Sequence, residues 1–513
     1  MTDSVTREHS AQEAVPFRLS SVAVPLITII VGIFMVVLDG TAVNVALQKL
    51  VVDFKSPLST VQWTVTGYSL AQAAVIPLAG WLSDRFGAKS IFLISVALFT
   101  VGSVLCATAQ DASMLILFRI LQGVGGGCVI PIAMAYIYRL SPPDKVGMLM
   151  GMMGVPILFA PAIGPVMAGW LVQYHTWRWI FLLNLPIGIV AVLFGMRCLP
   201  KIDRETVAAL DIPGLILAPL SFAALCYGIS EGSTSWTSIN TIAGVVVGVV
   251  ALVLFVVAEL RSKAPLLELR VFKSIDFSLA IPVQWIVQFA MFGALLLIPL
   301  FLQGVRGYGA FDTGLSLLPQ AFGAAVAMPI GGILFDKVGA RPLVVSGGAL
   351  LALGAVILTR LDLATTGSGL IFPLALYGVG MGLVMMPLNT HLINAAPRKL
   401  VSRVTSLTNA LSQVVNSLTV ATLATILTQR SKTNIANAQA QVMAQYHTIK
   451  HMSASATAAM NQQLQYASGK AAAAAFSDTF KVVVAVSIVS TLLGFVLRRN
   501  RAAQADQSAI QAA

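Results

Sequence analysis

The chain returns again and again to apolar stretches of about 20 residues, the length of helix that crosses the hydrocarbon core of a bilayer. Fourteen of them follow one another, near 22–47, 60–81, 89–108, 113–138, 147–171, 178–199, 211–230, 240–260, 277–302, 313–335, 342–360, 370–394, 402–428 and 477–497. Only 10% of the 513 residues are charged, where a soluble protein carries about a quarter. The mean hydropathy is +0.86. Soluble enzymes, collagen-like fibres and disordered chains are excluded. The pattern predicts an all-α integral membrane protein with fourteen transmembrane helices. The first stretch exceeds the about 7–15 residues of a signal-peptide core, so it reads as an uncleaved span.

Basic residues set the predicted orientation. With a cytoplasmic N-terminus, twenty-one Lys and Arg fall in inner segments and four (Lys49, Lys55, Arg306, Arg360) in short outer loops. This bias puts both termini on the cytoplasmic side. The net charge of +12 then needs no nucleic acid, because it is scattered a few residues per loop. Cys106, Cys128, Cys198 and Cys226 have neither metal-ligand spacing nor paired loop positions. Residues 429–476, on the outer side, are rich in Ala and Gln and contain no Pro. They predict helical extensions of the flanking spans, with a mobile loop as the alternative.

A motif recurs. Gly80-Trp-Leu-Ser-Asp84-Arg85-Phe-Gly87-Ala-Lys89 is matched by Gly332-Ile-Leu-Phe-Asp336-Lys337-Val-Gly339-Ala-Arg341. Each copy joins two spans on the cytoplasmic side. Glycines permit a tight turn, the acids can face helix N-termini and the bases helix C-termini. Such turns can latch one state of a moving bundle. The copies lie 252 residues apart, so the expected plan is two six-helix pseudo-repeats with two helices inserted between them. The expected divisions are a tail at 1–21, a six-helix bundle at 22–199, the inserted pair with linkers at 200–274, five helices of the second bundle at 275–428, the outer segment at 429–476, and the last helix with its tail at 477–513.

The first copy resembles the loop signature of the major facilitator superfamily. Fourteen spans are similar to its drug:proton antiporters of the EmrB and QacA type. Leu38-Asp39-Gly-Thr41-Ala-Val-Asn44 resembles that branch's first-helix motif, and Arg119-Ile-Leu-Gln122-Gly123-Val-Gly125 its fourth-helix motif. Ala160-Pro161-Ala-Ile-Gly164-Pro165-Val-Met-Ala168-Gly169 resembles the fifth-helix antiporter motif. Trp177 to Gly188, with Asn184 inside it, resembles the start of the sixth helix. The departures are Gln48 for a proline, Ala88 for a base, and Ala160 and Ala168 for glycines. The resemblance implies proton-coupled export of drugs by alternating access.

Asp39 is the one clear mid-membrane carboxylate. A charge there costs at least ~2.5–3.5 kcal/mol, so it needs a partner, water or a proton. Arg119 is expected at a depth within about 4 Å of it. Gln122, three residues on, shares its face and can orient the guanidinium. A neighbouring cation favours an ionised carboxylate and apolar burial a neutral one, so alternation between the two environments would move a proton. A static buried salt bridge is the alternative. The resemblance implies the coupling role.

Pro161, Gly164, Pro165 and Gly169 interrupt the fifth span and read as a gate against leakage or as a packing kink. Candidate substrate contacts are Gln62, Trp63, Tyr68, Gln72, Gln284, Trp285, Gln288, Asn389, Asn409, Gln413 and Asn416. Singly, each suits interhelical hydrogen bonding; together they suit hydrophobic or cationic drugs. No Gly-Lys-Ser/Thr follows the glycine run at 123–127, so no nucleotide is expected and the proton gradient supplies the energy. No metal or organic cofactor and no enzymatic activity are expected. The expected partners are membrane lipid and small substrates, with a periplasmic adaptor of the EmrA type as a candidate for the outer segment. A dedicated exporter of one metabolite, siderophore or lipid is the competing reading.

Overall fold

A computed structural model describes residues 19–140, 160, 163–200, 211–232, 235–262, 265, 267, 269–394, 401–446 and 454–497. They are helical throughout, with short turns. The helices are α1 (Leu19–Asp53), α2 (Leu58–Val61), α3 (Trp63–Val75), α4 (Leu78–Phe86), α5 (Ala88–Thr108) and α6 (Ala112–Leu140). After them come α7 (163–174), α8 (Arg178–Leu182), α9 (Asn184–Cys198), α10 (Ile212–Glu231) and α11 (Ile239–Arg261). The remainder are α12 (Ile275–Gly304), α13 (Ala310–Val338), α14 (Ala340–Leu358), α15 (Ile371–Asn394), α16 (Val401–Tyr446) and α17 (Ala454–Gly494).

Twelve helices among the described residues are long and apolar enough to cross a membrane, where the sequence predicts fourteen. The stretch at 60–81 is divided at Gln62 and again at Ile76–Pro77 into α2, α3 and α4. Pro77 has no N–H to continue the ladder, so none of the three pieces is long enough alone. The stretch at 147–171 falls largely outside the described residues.

Helix starts follow local chemistry. The Asp211 side chain accepts from Gly214 N at 3.0 Å to cap α10. Ser238 and Ser274 cap α11 and α12 in the same way. The recurring motif forms two equivalent breaks. Gly87, with φ 92°, separates α4 from α5, and Gly339, with φ 80°, separates α13 from α14. Both glycines occupy the left-handed region that side-chain-bearing residues avoid.

The two halves share one pattern of pairing. In the first, α1 packs on α9, α3 on α6, and α5 on both α6 and α9. In the second, α12 packs on α17, α13 on α15, and α14 on both α15 and α17. The helix after each break also starts against the end of its own half's last helix. Lys89 Nζ donates to Met196 O at 2.8 Å and Leu199 O at 2.6 Å at the end of α9. Its counterpart Arg341 lies over the Phe495 ring, 5.8 Å away, just beyond α17. A cation at a helix C-terminus is favourable in both settings.

Helices α10 and α11 pair through Gly228 and Gly244, whose backbones touch closely, and α10 rests on α3 and α16. Small residues allow such approach between apolar helices. The outer face of α11, including Val246, Val249, Val253 and Leu254, is exposed, as suits contact with lipid. Helices α16 and α17, of 46 and 41 residues, would span roughly 69 and 62 Å, about twice a bilayer core. They form an antiparallel hairpin. Its tip lies at the end of the bundle opposite Gly87 and Gly339, called below the hairpin end.

Candidate functional site

Asp39 lies on α1 inside the first half with no exposed surface. Three helices supply the groups around it. Arg119 Nη1, from α6, pairs with Asp39 Oδ2 at 2.5 Å. Gln122 Nε2, one turn along α6, donates to Asp39 Oδ1 at 3.1 Å. Asn184 Nδ2, the first residue of α9, donates to the same oxygen at 2.8 Å. Ser103 Oγ on α5 accepts from both Gln122, at 2.8 Å, and Asn184, at 2.7 Å.

Arg119 is equally constrained. Its Nη1 also donates to Gln122 Oε1 at 2.7 Å, and its Nε to Thr64 O on α3 at 3.0 Å. The guanidinium lies 3.8 Å from the centre of the Tyr68 ring. Every described bond to Asp39 comes from a donor, the arrangement that an ionised carboxylate requires. A buried pair of this kind is stable only with such supporting bonds. Gln122 sits where its sequence spacing places it, beside the guanidinium.

Next to this pair a cavity of about 220 Å³ lies between the halves. Its walls come from α1, α3 and α6 on one side and α12 and α16 on the other. Of the candidate substrate contacts, Tyr68, Gln72, Asn409, Gln413 and Asn416 line it. Gln288 stands behind the wall, donating to Asn416 Oδ1 at 3.0 Å. The others do not line it. Gln62 Nε2 turns toward Ser230 Oγ on α10, at 3.3 Å. Gln284 Nε2 donates to Asn389 Oδ1 at 2.7 Å, which turns both amides to each other. Trp285 packs against the hydrophobic core, and half-buried Trp63 is also outside the wall. Asn44 and Phe292 line the cavity without having been candidates. Asn44 belongs to the first-helix motif, and that was its available signal.

The halves close on each other at the hairpin end. A side chain added at Gly169 on α7 would lie 2.2 Å from Ala310 O, and one at Gly314 on α13 would lie 2.5 Å from Pro165 O. Gln173 Oε1 accepts from Phe311 N at 2.9 Å. Gln303 Nε2 on α12 donates to Val45 O on α1 at 2.9 Å. Gly164 approaches α1 within two residues of Asp39, where an added carbon would meet Thr41 Oγ1 at 2.5 Å. Helix α7 thus touches both the carboxylate helix and the opposite half. Pro161 lies outside the described residues. In the recurring turns, Gly80 faces open space and Arg85 and Lys337 are exposed. The side chains of Asp84 and Asp336 lie outside the described residues.

Two halves with the same helix pairing, a charged pair buried at mid-helix and a cavity between them make up a transporter architecture. The model of the Major Facilitator Superfamily matches residues 29–420. This chain belongs to that family. It is a multi-pass membrane transporter, not an enzyme. It is 35% identical over 402 residues to a multidrug resistance protein B homologue of Mycobacterium tuberculosis, covering 76% of this chain and 73% of that one. It is 33% identical over 410 residues to the lincomycin resistance protein LmrB of Listeria monocytogenes, covering 80% and 86%. Among solved structures, it resembles a bacterial homologue of the human lysosomal transporter Spinster in an inward-facing, unoccupied conformation. That likeness has a TM-score of 0.61 at 15% identity over 94% of this chain and 97% of that one, a likeness of fold.

Proposed function

We propose that this transporter is a proton-coupled antiporter that exports amphipathic drugs, with Asp39, Arg119 and Gln122 carrying the coupling. The observation that carries the reading is the position of the Asp39–Arg119 pair one side chain from a cavity shared by both halves. In the present arrangement Asp39 is held by Arg119, Gln122 and Asn184 and closed off. A drug seated against Tyr68 shifts the ring on which Arg119 rests, the guanidinium withdraws, and Asp39 becomes free to take a proton. Opening at the hairpin end lets drug leave and a proton reach Asp39 from the outer side, and on return Arg119 pairs with Asp39 again and the proton leaves to the side from which drug enters. The multidrug and lincomycin resistance relatives support export of drugs. No cofactor takes part, and the proton gradient supplies the energy.

The reading includes fourteen spans, with α2–α4 forming one broken crossing and 147–171 the fifth, as in the EmrB and QacA branch. It places both termini in the cytoplasm of a bacterial inner membrane, on the side rich in Lys and Arg, and the cavity on the inward path. The α16–α17 hairpin then stands on the outer side, where its polar surface suits a periplasmic adaptor of the EmrA type.

The test is drug-driven proton movement in proteoliposomes. Wild type should release protons on drug addition against an imposed pH gradient, and Asp39→Asn should bind drug without moving them. Equal proton movement in both would remove Asp39 from the mechanism.

A further inference from the structure

We propose that the cavity selects neutral amphipathic compounds bearing amide or hydroxyl groups and discriminates against permanent organic cations. This rests on the cavity being the drug site and narrows its substrate class, replacing the sequence-based expectation of cationic drugs.

The first observation is electrostatic. The cavity's polar wall is built from neutral groups, with Asn44 and Gln72 on one half and Asn409, Gln413 and Asn416 on the other. Among the described lining residues there is no Asp, Glu, Lys or Arg. Asp39 precedes the lining residue Gly40, but it already accepts from Arg119, Gln122 and Asn184 and is not among the described lining residues. Tyr68 would be the natural aromatic partner of a cation. Its ring already carries the Arg119 guanidinium at 3.8 Å. A desolvated cation here would find no counter-charge, and burying an unpaired charge is costly.

The second observation is directional. Gln288 Nε2 donates to Asn416 Oδ1 at 3.0 Å, and Asn416 Nδ2 donates onward to Gln413 Oε1 at a longer 3.5 Å. This chain engages the carbonyl oxygens of both wall residues once each and leaves the Gln413 amide nitrogen as a donor. Across the cavity, Gln72 Nε2 donates to the Tyr68 hydroxyl at 2.9 Å, leaving Gln72 Oε1 as an acceptor. One half therefore offers a donor and the other an acceptor. An amide or hydroxyl carries both functions and can bridge the halves. A quaternary ammonium or phosphonium can do neither.

Charge movement gives a second readout. Exchange of a neutral molecule for protons always moves net charge, so a membrane potential alone, at equal pH on both sides, should drive it.

The experiment uses the full-length protein in proteoliposomes. The probes are chloramphenicol and thiamphenicol as neutral amide diols, and tetraphenylphosphonium and ethidium as permanent cations. Wild type should transport the neutral pair at least tenfold better than the cations, and potential alone should drive that transport. Gln413→Glu should raise cation transport at least tenfold. Asn409→Asp provides the same test at a second wall position should Gln413→Glu not fold. Wild-type transport of the cations at or above the neutral compounds overturns this substrate class and leaves the exporter reading standing. A neutral preference that neither acidic variant relaxes overturns the assignment of selectivity to this cavity. Failure of wild type to move or bind any of the four removes the drug-exporter reading, and this inference with it.

Discussion

The Arg119 guanidinium rests 3.8 Å above the Tyr68 ring, and Tyr68 itself lines the cavity between the halves. One side chain thus belongs to both the charged pair and the space a drug would fill. A desolvated cation–π contact is worth about 2 kcal/mol. Tyr68→Phe keeps the ring and should retain drug-driven proton movement. Tyr68→Ala removes it and should uncouple, so that drug still binds but moves at least tenfold fewer protons. Equal coupling in the two variants would make the contact incidental.

Arg119→Lys preserves the charge and loses the shape. A lysine cannot bond Asp39, Gln122 and Thr64 together while lying flat on Tyr68. Coupled transport should fall at least tenfold with membrane-inserted protein unchanged. Arg119→Ala leaves the carboxylate buried and unpaired, and should destabilise the protein by about 3–5 kcal/mol. Thermal unfolding in detergent, followed by the fluorescence of the tryptophans, separates the two effects.

Asn184 donates to Asp39 and Ser103 together. A hydrogen bond to a charged group contributes about 1.5–3 kcal/mol. Asn184→Ala should therefore slow drug-driven proton exchange by about tenfold or more. Ser103→Ala, which leaves the donors to Asp39 in place, should have a smaller effect. Initial rates normalised to reconstituted protein provide the comparison.

At the hairpin end Gly169 admits the carbonyl of Ala310 where no side chain fits. Gly169→Val should prevent this closure and abolish transport. In a cysteine-free background, a Gln173→Cys and Phe311→Cys pair should cross-link readily, because those residues meet across the halves. Adding Gly169→Val should remove the cross-link. Its persistence would show that closure tolerates the added bulk.

The helical segments, the repeated turn and the Asp39–Arg119–Gln122 group were legible because each has a local signature: an apolar run, a fixed spacing, or a charge where charge is costly. Asn184 and Ser103 were not assigned to the site because a neutral polar residue in an apolar span has many possible partners. Only the packing of α5 and α9 brings these two to the same carboxylate. The amides divide for a related reason. Tyr68 and Gln72 are four residues apart on α3 and share a face. Gln62 occupies the break before that helix and turns to Ser230 instead. Gln284 and Asn389 are 105 positions apart, and nothing in either neighbourhood announces that they bond each other. The expected second span failed as a single helix at Pro77, a residue visible in the sequence but compatible with either a kink or a break.

The hairpin has a mechanical consequence. Gln429 is fastened to the α10–α11 turn through Gly232 O and Trp236, and α16 continues without interruption to Tyr446. The stretch beyond that fastening is a stiff arm about 26 Å long, rooted in the same helix that supplies Asn409, Gln413 and Asn416 to the cavity wall. Such an arm magnifies small tilts of its root. A pair of fluorophores, one at its tip and one on the α10–α11 turn, would turn occupancy of the cavity into a change in distance that can be followed in single molecules.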